Sequence, residues 1–295
     1  MIRSARVLAS CVVLIAGASE AAGTPSTLFK DPPHDVAHPA RMEVVHIPTH
    51  GVSINGVFYL ASGAGLHPTL IFFHGLPGNE QGLDLAQAVR RLGWNVLTLH
   101  YRGSWGSPGT YSYAHLIEDG IATLAFVRDP ETATRYGIDP RRIVLGGHST
   151  GGFVAVNTAA RSSGLAGLVL VSASDDAEEA LTARRSQETW ARFVKETFAD
   201  GMESLQGCTP DGLGEEVLSG AQAWRFKAAA PKLTTTPIIM ITANDGLASE
   251  DEAFAAAVRA HGGHVKVTHF DTDHPYSDRR IALARSVAQG LGSIK

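Results

Sequence analysis

Six short apolar runs, separated by segments of helical period, constrain this chain more than any other feature. Thr69–Phe73, Trp94–Leu99, Arg142–Gly146, Leu165–Val171, Pro237–Ile241 and His264–Phe270 are for the most part nearly continuous hydrophobic stretches. Runs of this length without polar alternation suit strands covered on both faces, as in a parallel sheet. Between them, Leu83–Leu92, Ala114–Val127, Phe153–Ala160, Glu252–Ala260 and Ile281–Leu291 place apolar residues at helical spacing. The β-α-β-α rhythm predicts an α/β fold, a mostly parallel sheet flanked by helices. Ahead of it, Arg41–Pro48 and Val52–Ala61 alternate like an antiparallel pair at the start of the sheet. Residues 174–232 break the rhythm. They show no strand pattern, but Trp190, Phe193, Val194 and Phe198 fall at helical spacing, with Leu205, Val217 and Trp224 as further apolar anchors. A helical cap insertion is expected there, within a domain spanning 41–295.

The N-terminus reads as a targeting segment. Arg3 and Arg6 make a basic start, and Val7–Ala18 is apolar or small throughout. Small residues at Ala16 and Ala18, and at Ser19 and Ala21, suit cleavage after 18 or after 21, so 1–21 is expected to be a secretory signal peptide, followed by a loose leader over 22–40. The apolar run is too short to span a bilayer. Export to the periplasm or the medium follows as an expectation, with no stable membrane span after cleavage. Cys11 would leave with the signal and Cys208 would stand alone, so no intramolecular disulfide is expected. With 44% hydrophobic and 18% charged residues, the chain carries enough apolar content to hold a core without one. The net charge of −4 gives no basic surface for a phosphate backbone, so nucleic acid is not an expected partner.

The chemistry centres on Gly147-His148-Ser149-Thr150-Gly151, a G-x-S-x-G pattern between the third core run and a helix. In that setting the serine occupies a strained strand-to-helix turn that lifts its hydroxyl above the sheet. The helix N-terminus beyond it favours developing negative charge. A serine hydroxyl needs a base, and the usual base is a histidine oriented by a carboxylate. The chain has 13 histidines, so topology must choose among them. Active groups of such sheets lie beyond the carboxyl ends of the strands. Two late strands run into suitable loops, one with Asn244-Asp245-Gly246 and the other with Asp271-Thr272-Asp273-His274-Pro275.

With these motifs in chain order, the sequence resembles the α/β-hydrolase superfamily. The resemblance implies Ser149 as nucleophile, Asp245 as the acid and His274 as the base. His269 lies inside the last strand and is read as a side chain of the sheet, and Asp271 and Asp273 as residues that tune the loop. The oxyanion hole requires two backbone N–H groups, one of them from the residue after the nucleophile, Thr150. The loop Phe73-His74-Gly75-Leu76-Pro77 resembles the family's oxyanion loop and implies Leu76 as the second donor, since Pro77 has no N–H. Tyr101-Arg102-Gly103-Ser104 resembles the Arg-Gly-Ser loop of prolyl-oligopeptidase-like and acylaminoacyl-peptidase-like members. The chain differs from the oligopeptidases in having no room for a propeller domain, and it lacks a second Gly after His74-Gly75.

No cofactor is expected. His261-Gly262-Gly263-His264 belongs to no four-ligand metal set, and the elbow glycines match neither a phosphate loop nor a dinucleotide fingerprint. The sequence therefore predicts a serine hydrolase acting on a small-molecule acyl substrate, with a carboxylic ester as first choice. An aminoacyl or short-peptide hydrolase on the same triad is the alternative within enzymes. A non-catalytic binding protein that keeps the fold is the alternative outside them.

Overall fold

The apolar runs become the inner strands of one eight-stranded sheet. The structure, a computed structural model, describes Leu28 and residues 30–294. The expected signal segment and Cys11 lie outside these residues. The elements run β1 (Arg41–Thr49), β2 (Val52–Leu60), β3 (His67–Phe73), α1 (Leu83–Arg91), β4 (Asn95–Leu99), α2 (Tyr113–Arg128), α3 (Pro130–Tyr136), β5 (Ile138–Ser149), α4 (Thr150–Ala159) and β6 (Gly167–Ala173). Then follow α5 (Asp176–Ala183), α6 (Gln187–Phe198), α7 (Pro210–Trp224), α8 (Phe226–Ala229), β7 (Ile238–Thr242), α9 (Ala248–Ala260), β8 (Val265–His269) and α10 (Arg280–Ser293).

The strand order is β1-β2-β4-β3-β5-β6-β7-β8. β1, β2 and β4 pair antiparallel, and β4 through β8 pair parallel. Every residue of β4, β6 and β7 is buried, whereas β1 alternates, as a strand with one solvated face must. Within the inner strands alternate residues feed two cores. Ile71, Phe73, Leu97 and Leu145 join Phe153 of α4 and Leu116 of α2 on one face. Leu70, Phe72, Val96 and Val144 join Leu85 of α1 and Leu283 of α10 on the other.

Because α1 and α4 leave on opposite faces, the neighbouring strands β3 and β5 mark a switch point, and the loops beyond their carboxyl ends open a crevice. Between β6 and β7 lie α5–α8, with no sheet strand among them. This helical segment is stitched to the loop after β4 by backbone hydrogen bonds. Trp105 N donates to Ser204 O at 3.1 Å, Gln206 N to Gly103 O at 2.8 Å and Tyr111 N to Gln206 O at 2.8 Å.

Candidate active site

Ser149 ends β5 at φ 57° and ψ −129°, a conformation that only a tightly packed turn maintains in a residue with a side chain. The flanking glycines make the turn possible. A Cβ on Gly147 would stand 2.1 Å from the Gly151 carbonyl oxygen, and one on Gly151 would stand 2.1 Å from that of Phe73. The sequence places the strand end at Gly146, but pairing with β6 continues to Ser149, opposite Ala173. The loop after β3 passes beside Ser149, since a methyl on Gly75 would lie 2.9 Å from Ser149 Cβ and 3.4 Å from Oγ. The carbonyls of His74 and Gly75 are taken by the Tyr101 hydroxyl at 2.9 Å and by the His74 Nδ1–H at 2.7 Å. Leu76 follows directly in that loop. Thr150, the first residue of α4, is buried, and its hydroxyl bonds Asp176. Asp176 also accepts from Tyr113 Oη at 2.8 Å and from Ser174 Oγ.

Asp245 and His274, 29 residues apart in sequence, meet above the carboxyl ends of β7 and β8, with His274 Nδ1 2.8 Å from Asp245 Oδ2. A carboxylate can only accept, so Nδ1 carries the proton and Nε2 is left with its lone pair. The Asp245 side chain is 3% exposed and that of His274 is 37% exposed, so the carboxylate is enclosed and the imidazole is open on one side. Burial pushes the Asp245 carboxyl up, but hydrogen bonds from His274, Ser172 and the Leu247 amide outweigh it and hold the acid at about 2. The histidine ring also reaches the elbow, its centroid 4.5 Å from that of His148, the residue before Ser149.

Three supporting residues escaped the sequence reading. Ser172, at φ 41° near the end of β6, donates to Asp245 and lies 2.9 Å from the Tyr276 hydroxyl. Tyr276, at φ 57° and fully buried, contacts the Ile241 carbonyl at 3.1 Å. His148 bonds the His274 backbone. A polar residue closing an all-apolar strand and a tyrosine two positions after His274 were the available signals. The rivals of His274 are occupied elsewhere. His269 bonds Thr242 and Asn244 at 2.9 and 3.0 Å, Asp273 accepts from the Ser277 amide at 2.7 Å, and Asp271 accepts from Asn244.

A family model described as the α/β-hydrolase fold matches residues 72–275, a span that takes in the Gly75 loop, the elbow and the Asp245–His274 pair. The chain belongs to the α/β-hydrolase family. Among solved structures, this α/β hydrolase superposes on a hyperthermophilic esterase from the archaeon Pyrobaculum calidifontis with a TM-score of 0.64, at 20% identity and 87% coverage of both chains. An acylaminoacyl peptidase of Pyrococcus horikoshii gives a TM-score of 0.65 at 14% identity, covering 86% of this chain and 41% of that one. At such identities the likeness is one of fold. Among curated proteins, the lysophosphatidylserine lipase ABHD12 of Danio rerio is 28% identical over 107 residues, which is 35% of this chain and 26% of that protein. The hydrolase thus matches about a quarter of the length of these curated relatives.

The acids around the pair separate by environment. Burial pushes Asp251 and Glu179 up to about 8, and Asp175 and Glu250 up to about 7, with repulsion from neighbouring carboxylates adding to the shift. Asp245, the one acid bonded to the imidazole, remains the strong acid of the group. No group of three or more metal-ligating side chains is assembled among the described residues.

Proposed function

We propose that this α/β hydrolase cleaves carboxylic esters through a covalent acyl-enzyme on Ser149. The observation that carries the reading is the 2.8 Å Asp245–His274 hydrogen bond, with the His274 ring 4.5 Å from that of His148, the residue before a serine held in the strained elbow conformation. In the first step Ser149 Oγ bonds to the substrate carbonyl carbon while its proton passes to His274 Nε2. The carbonyl oxygen becomes an oxyanion, held by the backbone N–H groups of Leu76 and Thr150. As the intermediate collapses, the carbon–oxygen bond to the alcohol breaks and His274 returns the proton to the leaving oxygen. Water repeats the sequence on the acyl-enzyme, releasing the acid and restoring Ser149. Asp245 stays ionised throughout and stabilises the transient imidazolium.

The fold likeness to the Pyrobaculum calidifontis esterase over 87% of both chains supports the ester reading, and the fold likeness to an acylaminoacyl peptidase keeps an aminoacyl amide as the second reading. Two measurements test the proposal. A fluorophosphonate should add one phosphonyl mass to the native chain and none to Ser149→Ala. An aryl ester should turn over faster than an aminoacyl anilide. An anilide rate equal to or above the ester rate would overturn the substrate order, and a folded native chain that never labels would favour a binding protein.

A further inference from the structure

We propose that His148 is a positioning residue for the base, clamping the His274 backbone while its uncharged ring lines the base's ring; this rests on the acyl-enzyme reading. Two contacts meet on one residue. His148 Nε2 lies 2.9 Å from the His274 carbonyl oxygen across 126 residues of sequence, and the two ring centroids are 4.5 Å apart with 42° between planes. His148 is rigidly mounted, since it is buried on β5 and its backbone pairs with Val171 of β6. The loop bearing His274 is fastened elsewhere at its flanks, by Asn244 N to Thr272 O at 3.0 Å and by Tyr276 Oη to Ile241 O at 3.1 Å. The bond at His274 itself comes from the residue next to the nucleophile. It therefore couples the position of the base to the position of the elbow.

The tautomer follows from the partner. A carbonyl oxygen accepts only, so His148 carries its proton on Nε2 and leaves Nδ1 bare, and Nδ1 is buried without a hydrogen-bond partner. A second proton would bury an unpaired N–H and place a cation against the ring that must itself become cationic during turnover. Burial and the neighbouring His274 hold His148 down at about 4, with Arg280 adding to the effect and Asp245 opposing it. His148 thus stays a neutral donor while His274 gains and loses its proton.

The test uses the full chain with His148→Leu, which keeps bulk and loses the donor, and His148→Gln, which keeps an N–H within reach of the carbonyl. Ser149→Ala is the blank. A base displaced by about 1 Å costs about 10²-fold, so His148→Leu should lose about that factor in fluorophosphonate labelling rate and in kcat. Its KM should stay within about threefold of the native value, as for an interaction made in the transition state. His148→Gln should recover at least about tenfold of the loss. The second readout needs no turnover. The downfield proton resonance of His274 Nδ1–H, sheltered by Asp245, should broaden into exchange in His148→Leu and return in His148→Gln. A Leu variant with native rate and native resonance overturns the proposal, as do Leu and Gln variants impaired alike. A native chain that does not label sinks the acyl-enzyme reading instead, and the resonance comparison still decides whether His148 holds the base.

Discussion

At the scale of single residues, function rests on protons kept in assigned places. Asp245 keeps Nδ1 of His274 protonated and so leaves the Nε2 lone pair free to take a proton. Asp245→Asn offers an amide where a carboxylate is needed and loses the charge opposite the imidazolium. Its kcat should fall about 10⁴-fold while the fold persists, as read by ester turnover beside a thermal melt. The same carboxyl has a linkage consequence. Its folded value of about 2 lies below its ordinary 3.8, so its contribution to stability is present above that ordinary value and drains as pH falls through about 2. The strained elbow at Ser149 and the Asp245–His274 pair were legible from a five-residue motif and two strand ends. Ser172, Tyr276 and His148 were not, because their roles depend on which strand end meets which loop. The Ser172–Tyr276 contact spans 104 residues and the His148–His274 contact spans 126.

At the scale of elements, α9 and the loop before α2 carry the clearest consequences. Asp251, in the first turn of α9, is fully buried, with only the Ala173 amide to bond it weakly. Its carboxyl is pushed up to about 8 by burial and by Asp245, Glu250 and Asp175. The native chain therefore holds this proton where the unfolded chain has released it. The stability it contributes is whole below the ordinary carboxyl value of 3.8 and is lost as pH rises through about 8. Across that window the loss approaches about 1.4 kcal/mol per pH unit. Asp251→Asn should melt above the native chain at pH 9 and flatten the decline in a series of melts from pH 5 to 9.

The second element is built around Asp119 of α2. It accepts from the Arg102 amide at 2.8 Å, from Arg102 Nε at 2.6 Å and from Thr49 Oγ1 at 2.8 Å. Burial pushes Asp119 up despite this guanidinium, so the pair fixes geometry more than it adds net stability. Removing one partner is another matter. Asp119→Ala leaves the buried Arg102 with Glu118 as its remaining ion-pair partner and strips the acceptor from its Nε–H, and should cost about 3 kcal/mol in denaturant unfolding. It should also raise KM, because Arg102 opens the loop that is bonded to residues 204–206.

At the scale of the whole molecule, the sheet was readable because burial on both faces leaves a pattern that single residues cannot hide. The apolar runs located the six core strands to within a few residues, but they marked only the enclosed middle of β5. Its start at Ile138-Asp139-Pro140-Arg141 pairs with β3 through a register shift and exposes Pro140 and Arg141. α3 went unseen for a similar reason. Pro130-Glu131-Thr132-Ala133-Thr134-Arg135-Tyr136 has no apolar stripe, and the helix is set instead by the Asp129 cap and a proline in its first turn.

The strand order also distributes robustness unevenly. Ser149 leaves β5, which has a neighbour on each side, whereas His274 follows β8, which pairs with β7 alone and is largely uncovered. On warming, a border strand of this kind frays before the interior melts. Ester turnover should therefore vanish several degrees below the cooperative loss of circular dichroism, and cooling from that interval should restore it in full. On this account Ser149 stays with the interior of the sheet while the loop carrying His274 follows a border strand, and heat inactivation should be a reversible parting of the two, distinct from unfolding.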